Sequence, residues 1–405
     1  MITDGQTGHL DKIKQANAGM IYQLIDMYGP VSRIELSKKA QLVPASITKI
    51  VRELLEGHLV AEMEFQEAGN RGRPAVGLML DTDAWHYLAI RINNDSLILA
   101  LHDLSAKIIC EDNIPLMPGN GVPFLAILTN EIEQFFRRNQ NKLERLTAIA
   151  VTLPGIINAK KGIIHKMSFH DVTDLPLADI LSEMTGVPTF VQQDVSAWTM
   201  AEFLFGAAKG CNNVIQIIID CQVSAGVISD GQLLHGSTKR LAEIGHCKVV
   251  DDGDICYCGS QGCLETVAGT GNILRMAKQR AIARPDSLLH HIPLTIDNFC
   301  QAVFEGDPLA CDIITEVGLK VGNIVAFMVN IFNPEKILIG SPLNQVKDIL
   351  YPIIESCIAR QSLRHYSKEL KILPCQFLNS GTMPAASLIK EALYNGSLLN
   401  RLLQG

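Results

Sequence analysis

The stretch EIGHCKVVDDGDICYCGSQGCLE, residues 243–265, decides how this chain of 405 residues is read. Cys256, Cys258 and Cys263 crowd together, Gly259 and Gly262 lie inside the last interval, and His246 and Cys247 precede them. Thiolates and an imidazole suit zinc, and a set in which protein fills every position leaves no place for an activated water. The reading is a structural zinc knuckle. Cys256, Cys258 and Cys263 supply three ligands, and either His246 or Cys247 supplies the fourth. The other cysteines are scattered, as in a reducing compartment where thiols stay free.

Outward from the knuckle, short apolar runs alternate with helical stretches. YLAIRI, SLILALHD, LTAIAVTL, PTFVQQD, NVIQIIID, AGVISDG and EKILIG read as strands, and 122–145, 196–208, 263–281 and 316–331 as helices. That alternation predicts an α/β protein with mixed sheets in two lobes. The length exceeds what one core supports. We expect a first lobe over 82–194, a second over 195–380 with the metal site and an oligomerisation surface, and a terminal helix, 381–405, returning to the first lobe.

Residues 1–81 read differently. Ile13, Met20, Ile21, Leu24 and Ile25 share a helical face that ends at Gly29-Pro30. Ser32 and Glu35 form a capping box, QLV is a turn, and Pro44 opens a third helix with Ile47, Ile50, Val51, Leu54 and Leu55 on its apolar stripe. Its other face offers Ser46, Thr48, Lys49 and Arg52. Alternation at Ala61, Met63 and Phe65, and again at Val76, Leu78 and Leu80, predicts a hairpin. Three helices and a hairpin make a winged helix-turn-helix, whose third helix enters a major groove. The hairpin tip, EAGNRGRPAVG (residues 67–77), places Arg71 and Arg73 around a glycine, which suits a narrow minor groove of enhanced negative potential. The carboxylates of Glu53, Glu56, Glu62, Glu64 and Glu67 are expected away from the recognition face.

The composition is that of a soluble globular protein, with 47% hydrophobic and 19% charged residues. A net charge of -7 argues against indiscriminate adhesion to nucleic acid, which needs positive charge over a large surface. The opening MITDGQTGHLDKIKQ lacks a signal peptide's basic and apolar regions, and no apolar run spans a bilayer, so a cytoplasmic protein is expected.

The 243–265 stretch resembles the signature of the ROK family of repressors and sugar kinases, Glu-x-Gly-His followed by Cys-x-Cys-Gly-x-x-Gly-Cys-x-Glu. The resemblance continues over nearly the whole chain. It implies an actin-like (ribonuclease H-like) two-lobed ROK domain behind the winged helix, with one zinc ion held by His246, Cys256, Cys258 and Cys263. In kinase members the sugar is held at positions that match Gln193, Asp194, Glu243, His246 and Glu265, with the aspartate as general base. Here glutamine replaces the asparagine that precedes the aspartate. Asp194, Glu243 and Glu265 are therefore read as a vestigial sugar pocket. The kinase Asp-x-Gly-Gly-Thr has become Arg91-Ile92-Asn93-Asn94-Asp95, the second phosphate loop is DCQVSAG, and the adenosine-side glycine pair is Gly340-Ser341. Three losses at one ligand predict that ATP does not bind and that the chain is not an enzyme.

The expected function is repression of sugar-uptake genes by a homodimer, or by a tetramer made of two such dimers, on double-stranded operator DNA. The resemblance runs nearest to a glucose-regulon repressor, which implies induction by capture on the dephosphorylated B domain of the glucose permease and membrane contact only through that partner. Phe135 and Phe136, beside Arg137-Arg138, are the candidate docking anchor. Induction by a small sugar or sugar phosphate in the old substrate cleft is the alternative, and an active sugar kinase a more distant one. The tail GSLLNRLLQG puts Leu398, Leu399, Leu402 and Leu403 on one helical face.

Overall fold

Helix α1 (Asp4–Tyr28) opens the computed structural model, which describes residues 4–65, 75–116, 123–143, 145–167, 170–236, 242–377 and 381–404. It buries Ala18, Ile21, Tyr22 and Ile25, whereas Ile13, expected on that face, is 44% exposed. Ser32 caps α2 (Arg33–Ala40) by accepting the Glu35 amide at 3.3 Å. The Glu35 carboxylate turns to Lys39 of the next turn, 3.5 Å away. Gln41 takes the left-handed conformation that closes α2, and α3 (Pro44–Glu56) follows with Ile47, Val51 and Leu54 fully buried. Ile50 and Leu55 flank that stripe and are only half-buried.

The hairpin is β1 (Val60–Phe65) paired antiparallel with β2 (Ala75–Leu80). Its register sets Leu80, Leu78 and Val76 across from Val60, Glu62 and Glu64. The alternating apolar residues of the two strands therefore fall on opposite faces, and Met63 and Met79 are exposed. A two-stranded wing has one packed face, and Leu78 and Leu80 occupy it.

The chain divides into two compact units, 1–197 with 381–405, and 198–380. The first unit adds β3 (His86–Ile92), β4 (Ser96–Asp103), β5 (Ile108–Pro115), α4 (Phe124–Arg138), β6 (Leu146–Leu153), β7 (Gly155–Asn158), β8 (Ile163–Met167), β9 (Thr173–Leu175), α5 (Leu177–Thr185) and β10 (Thr189–Gln193). Its main sheet runs β10-β6-β3-β4-β5, with β3 to β5 an antiparallel meander and β6 and β10 added in parallel. Strands β3, β4 and β6 are buried along almost their whole length, which is why they read as unbroken apolar runs.

The second unit begins within α6 (Asp194–Leu204) and continues through β11 (Val214–Ile219), β12 (Val223–Ser229), β13 (Gln232–Leu233), α7 (Leu264–Ala268), α8 (Thr270–Ala281), α9 (Ile296–Phe304), α10 (Pro308–Phe332), β14 (Lys336–Gly340), α11 (Lys347–Gln361), α12 (Arg364–Ser367) and β15 (Lys371–Pro374). Its sheet, β13-β12-β11-β14-β15, repeats the plan of the first: three antiparallel strands, then two in parallel. Gly318 and Gly322 on α10 lie against Ile353, Ile354 and Cys357, so two missing side chains let α11 pack close. The chain then returns to the first unit as α13 (Met383–Tyr394), lying on β3, β6 and β10, and α14 (Ser397–Gln404), which packs on α1. Among the described residues, no helix is long and apolar enough to cross a membrane.

Candidate metal centre and nucleic-acid interface

The metal-ligand set forms because the chain doubles back on itself. A short helical turn, Ile244–His246, presents the histidine, and Lys248 pairs with Cys263 across an isolated bridge, as Ile255 does with Gln261. Gly262 adopts a positive φ of 75°, and a Cβ there would strike the Val250 carbonyl, so only glycine closes this turn. The ligand atoms of His246, Cys256, Cys258 and Cys263 lie within 4.8 Å of one another. Cys256 Sγ is 3.6 Å from His246 Nδ1, and Cys258 Sγ is 3.7 Å from Cys263 Sγ.

Bond lengths of about 2.3 Å to sulfur and 2.0–2.1 Å to nitrogen make the edges of a tetrahedral zinc site roughly 3.6–3.8 Å. The donor set fits. Hydrogen bonds from Ser260 pull the Cys258 thiol down to about 6, so one ligand is ready as thiolate near neutrality. Cys247 is exposed and outside the cluster. Sequence reasoning missed Tyr257, whose hydroxyl lies 3.2 Å from His246 Nε2 and orients the ring so that Nδ1 faces the sulfurs. Its position between two cysteines was the available signal.

On α3, Thr48, Lys49 and Arg52 are exposed and Ser46 is half-buried. Positions 45, 48 and 52 share one stripe of the helix and 46, 49 and 53 the next. Ser46 and Lys49 border a groove of about 930 Å³ that Asn17 of α1 and Leu402 and Leu403 of α14 also line. The Thr48 hydroxyl donates to the Pro44 carbonyl at 2.9 Å. Arg52 lies 3.8 Å from Glu56. That corrects the expectation that every acid avoids the recognition face, because α3 brings residues i and i+4 together. Glu62 lies on the wing and meets Arg33 of α2 at 2.5 Å. Arg71 and Arg73 lie outside the described residues.

Of the residues expected to form a vestigial sugar pocket, Asp194 belongs to the first unit, Glu243 and Glu265 to the second. Asp194 opens α6 and is buried, with its Oδ1 lacking a hydrogen-bond partner among the described residues. Burial pushes its carboxyl up to about 7, against the pull of the Arg91 guanidinium. Arg91 is itself buried, level with Thr152 on the neighbouring strand. Glu265 accepts the Val223 amide at 3.2 Å, and burial raises its pKa too. Ser341 spends its hydroxyl on the Leu343 amide, capping the turn that follows β14.

Of the two candidate docking aromatics, Phe135 is fully buried in the first unit's core. Its burial runs against the expectation that it anchors a partner; Phe136 is half-buried at the edge of that core, with Arg137 and Arg138 exposed beside it. Consecutive helical residues point about 100° apart, so the pair cannot share one surface.

Residues 87–392 match the model of the ROK family, and the chain belongs to that family. Over 406 aligned residues it is 56% identical to the DNA-binding transcriptional repressor Mlc of Escherichia coli K12, covering 100% of both chains. It is 36% identical, over 98% of each chain, to the DNA-binding transcriptional dual regulator NagC of the same organism. A solved ROK family transcriptional regulator, a homologue of the E. coli MLC protein, superposes with a TM-score of 0.91 at 44% identity, over 97% of this chain and 100% of that one. A Streptomyces griseus ROK glucokinase solved with glucose and AMPPNP reaches 0.60 at 24% identity, over 75% and 98%, and shares the fold alone.

Proposed function

We propose that this protein is a DNA-binding transcriptional repressor of sugar-uptake genes, built on a sugar-kinase scaffold that no longer catalyses. The observation that carries this reading is the 56% identity with Mlc along the full length, winged helix included. The exposed Lys49 and Arg52 on α3 support major-groove contact, and Arg71 and Arg73 are assigned to the flanking minor groove. Reading a palindrome takes two copies. The exposed Leu319, Phe327 and Ile331 on α10 are the face we assign to the homodimer, two of which would make a tetramer. Zinc is the structural ion, held by His246 Nδ1 and the sulfurs of Cys256, Cys258 and Cys263, where it would cross-link the loop that carries Glu243 to the start of α7. The protein is cytoplasmic in this reading.

Induction is assigned to capture by the dephosphorylated B domain of the glucose permease, with Phe136 as anchor. One observation favours a second trigger, a small sugar or sugar phosphate: Asp194 keeps a buried carboxyl, beside the Thr152 hydroxyl and the Arg91 guanidinium, at a position the resemblance matches to sugar binding. Fluorescence anisotropy on operator DNA, titrated separately with glucose, glucose 6-phosphate and the permease domain in both phosphorylation states, tests function and trigger together. Arg52→Ala should weaken operator binding by roughly 1–3 kcal/mol and relax sequence preference. Hexose phosphorylation by the purified chain at enzymatic rates would overturn the reading.

A further inference from the structure

Lysine is almost never fully buried unless paired, and Lys390 is buried in the middle of α13. Its Nζ lies 2.5 Å from Asp26 Oδ2, on the last turns of α1, and donates to the Leu104 carbonyl just beyond β4 at 2.8 Å. The Tyr394 hydroxyl donates to the same Asp26 oxygen at 2.5 Å. Burial, and then the Asp26 carboxylate, hold the Tyr394 phenol far above its usual pKa, so it remains a donor. Around this cluster the two helices touch through bare backbone. A Cβ on Gly19 of α1 would strike the Tyr394 carbonyl, and one on Gly396 would strike the carbonyl of Gln15. Gln15 Nε2 in turn donates to the Asn395 carbonyl at 3.2 Å.

Because α13 lies on the sheet of the first unit, these contacts join that sheet to the helix from which α2 and α3 are built. Well-packed apolar residues of similar volume would be as stable as a buried ion pair, or more so. They would also let α1 slide. A carboxylate bonded at once by an ammonium and a phenol is satisfied in one geometry only.

We propose that Asp26, Lys390 and Tyr394 are positioning residues for operator recognition, a buried latch that fixes where the first unit holds its recognition helix. It rests on the repressor reading with two copies on a palindrome. The latch fixes where α3 stands on the sheet of its own unit without touching DNA, so in a pair of copies on a palindrome its loss loosens the spacing preference between half-sites.

The test uses the full-length protein and a palindromic duplex selected from random sequence by the parent. Binding is measured on the palindrome, on a single half-site, and on palindromes lengthened by one and by two base pairs. Lys390→Met and Asp26→Asn should bind the half-site like the parent, lose at least about fivefold on the palindrome, and discriminate less against the lengthened spacers. Tyr394→Phe, which keeps ring and ion pair, should shift in the same direction by less. The conservative Lys390→Arg should restore part of the spacing preference. Unchanged palindrome affinity and spacing preference in folded Lys390→Met would overturn the latch, as would equal losses on half-site and palindrome. If Lys390→Met does not fold, Tyr394→Phe decides by the same criteria. A parent that selects no palindrome sinks the repressor reading itself, whereas a binding parent with indifferent variants sinks only the latch.

Discussion

Asp194 carries a pH dependence whose sign follows from its burial. Its carboxyl titrates near 7 in the folded chain and near 3.8 when free. Between those values the folded chain keeps a proton that the unfolded chain has released, so stability falls as pH rises through that window and is lowest above 7. The gap is worth up to ~4 kcal/mol. Asp194→Asn should therefore melt several degrees above the parent at pH 8 and close to it at pH 4, by calorimetry. Equal melting at both values would show that the carboxylate is solvated. At the knuckle, Cys258→Ser removes one of four ligands. Losing only ~3 kcal/mol of a structural zinc's binding energy lowers melting by about 6–12 °C in a unit of this size. Metal content by mass spectrometry, with the melt, checks both halves of that expectation.

Among elements, α14 is where pattern left a choice and packing made it. Four leucines share one face of a short helix that could pack home, pair between subunits or meet a partner. Leu398 and Leu399 are fully buried, while Leu402 and Leu403 are half-buried over the groove behind α3. Leu399→Ala should cost ~2–5 kcal/mol, seen as a lower denaturant midpoint. Leu402→Ala, half-solvated already, should cost less than half as much, and the reverse order would mean that the helix faces the other way. The wing teaches a related lesson. Alternation predicted both strands, but which face each apolar set occupies depends on register, and one residue of slip exchanges the faces.

For the whole molecule, two compact units imply two responses to ligands. Operator DNA at a hundred times its dissociation constant adds ~2.7 kcal/mol to whatever binds it. In calorimetry, operator should raise the transition of the unit holding residues 1–197, and a strong chelator should lower that of 198–380. A chelator that shifts only the former would contradict the assignment of the metal. The sequence by itself determined the α/β class, the winged helix and the three clustered cysteines, while folding is what draws His246 rather than Cys247 into their group. Those readings depend on period, capping and spacing within a few dozen residues, where chain connectivity alone brings groups together. Only tertiary structure decided that Phe135 is core while its neighbour meets solvent, that Glu62 of the wing answers Arg33 of α2, and that Tyr394 closes on Asp26 across 368 positions of sequence. No local pattern encodes such a pair: a buried lysine becomes tolerable only once folding has delivered its counter-charge from the far end of the chain.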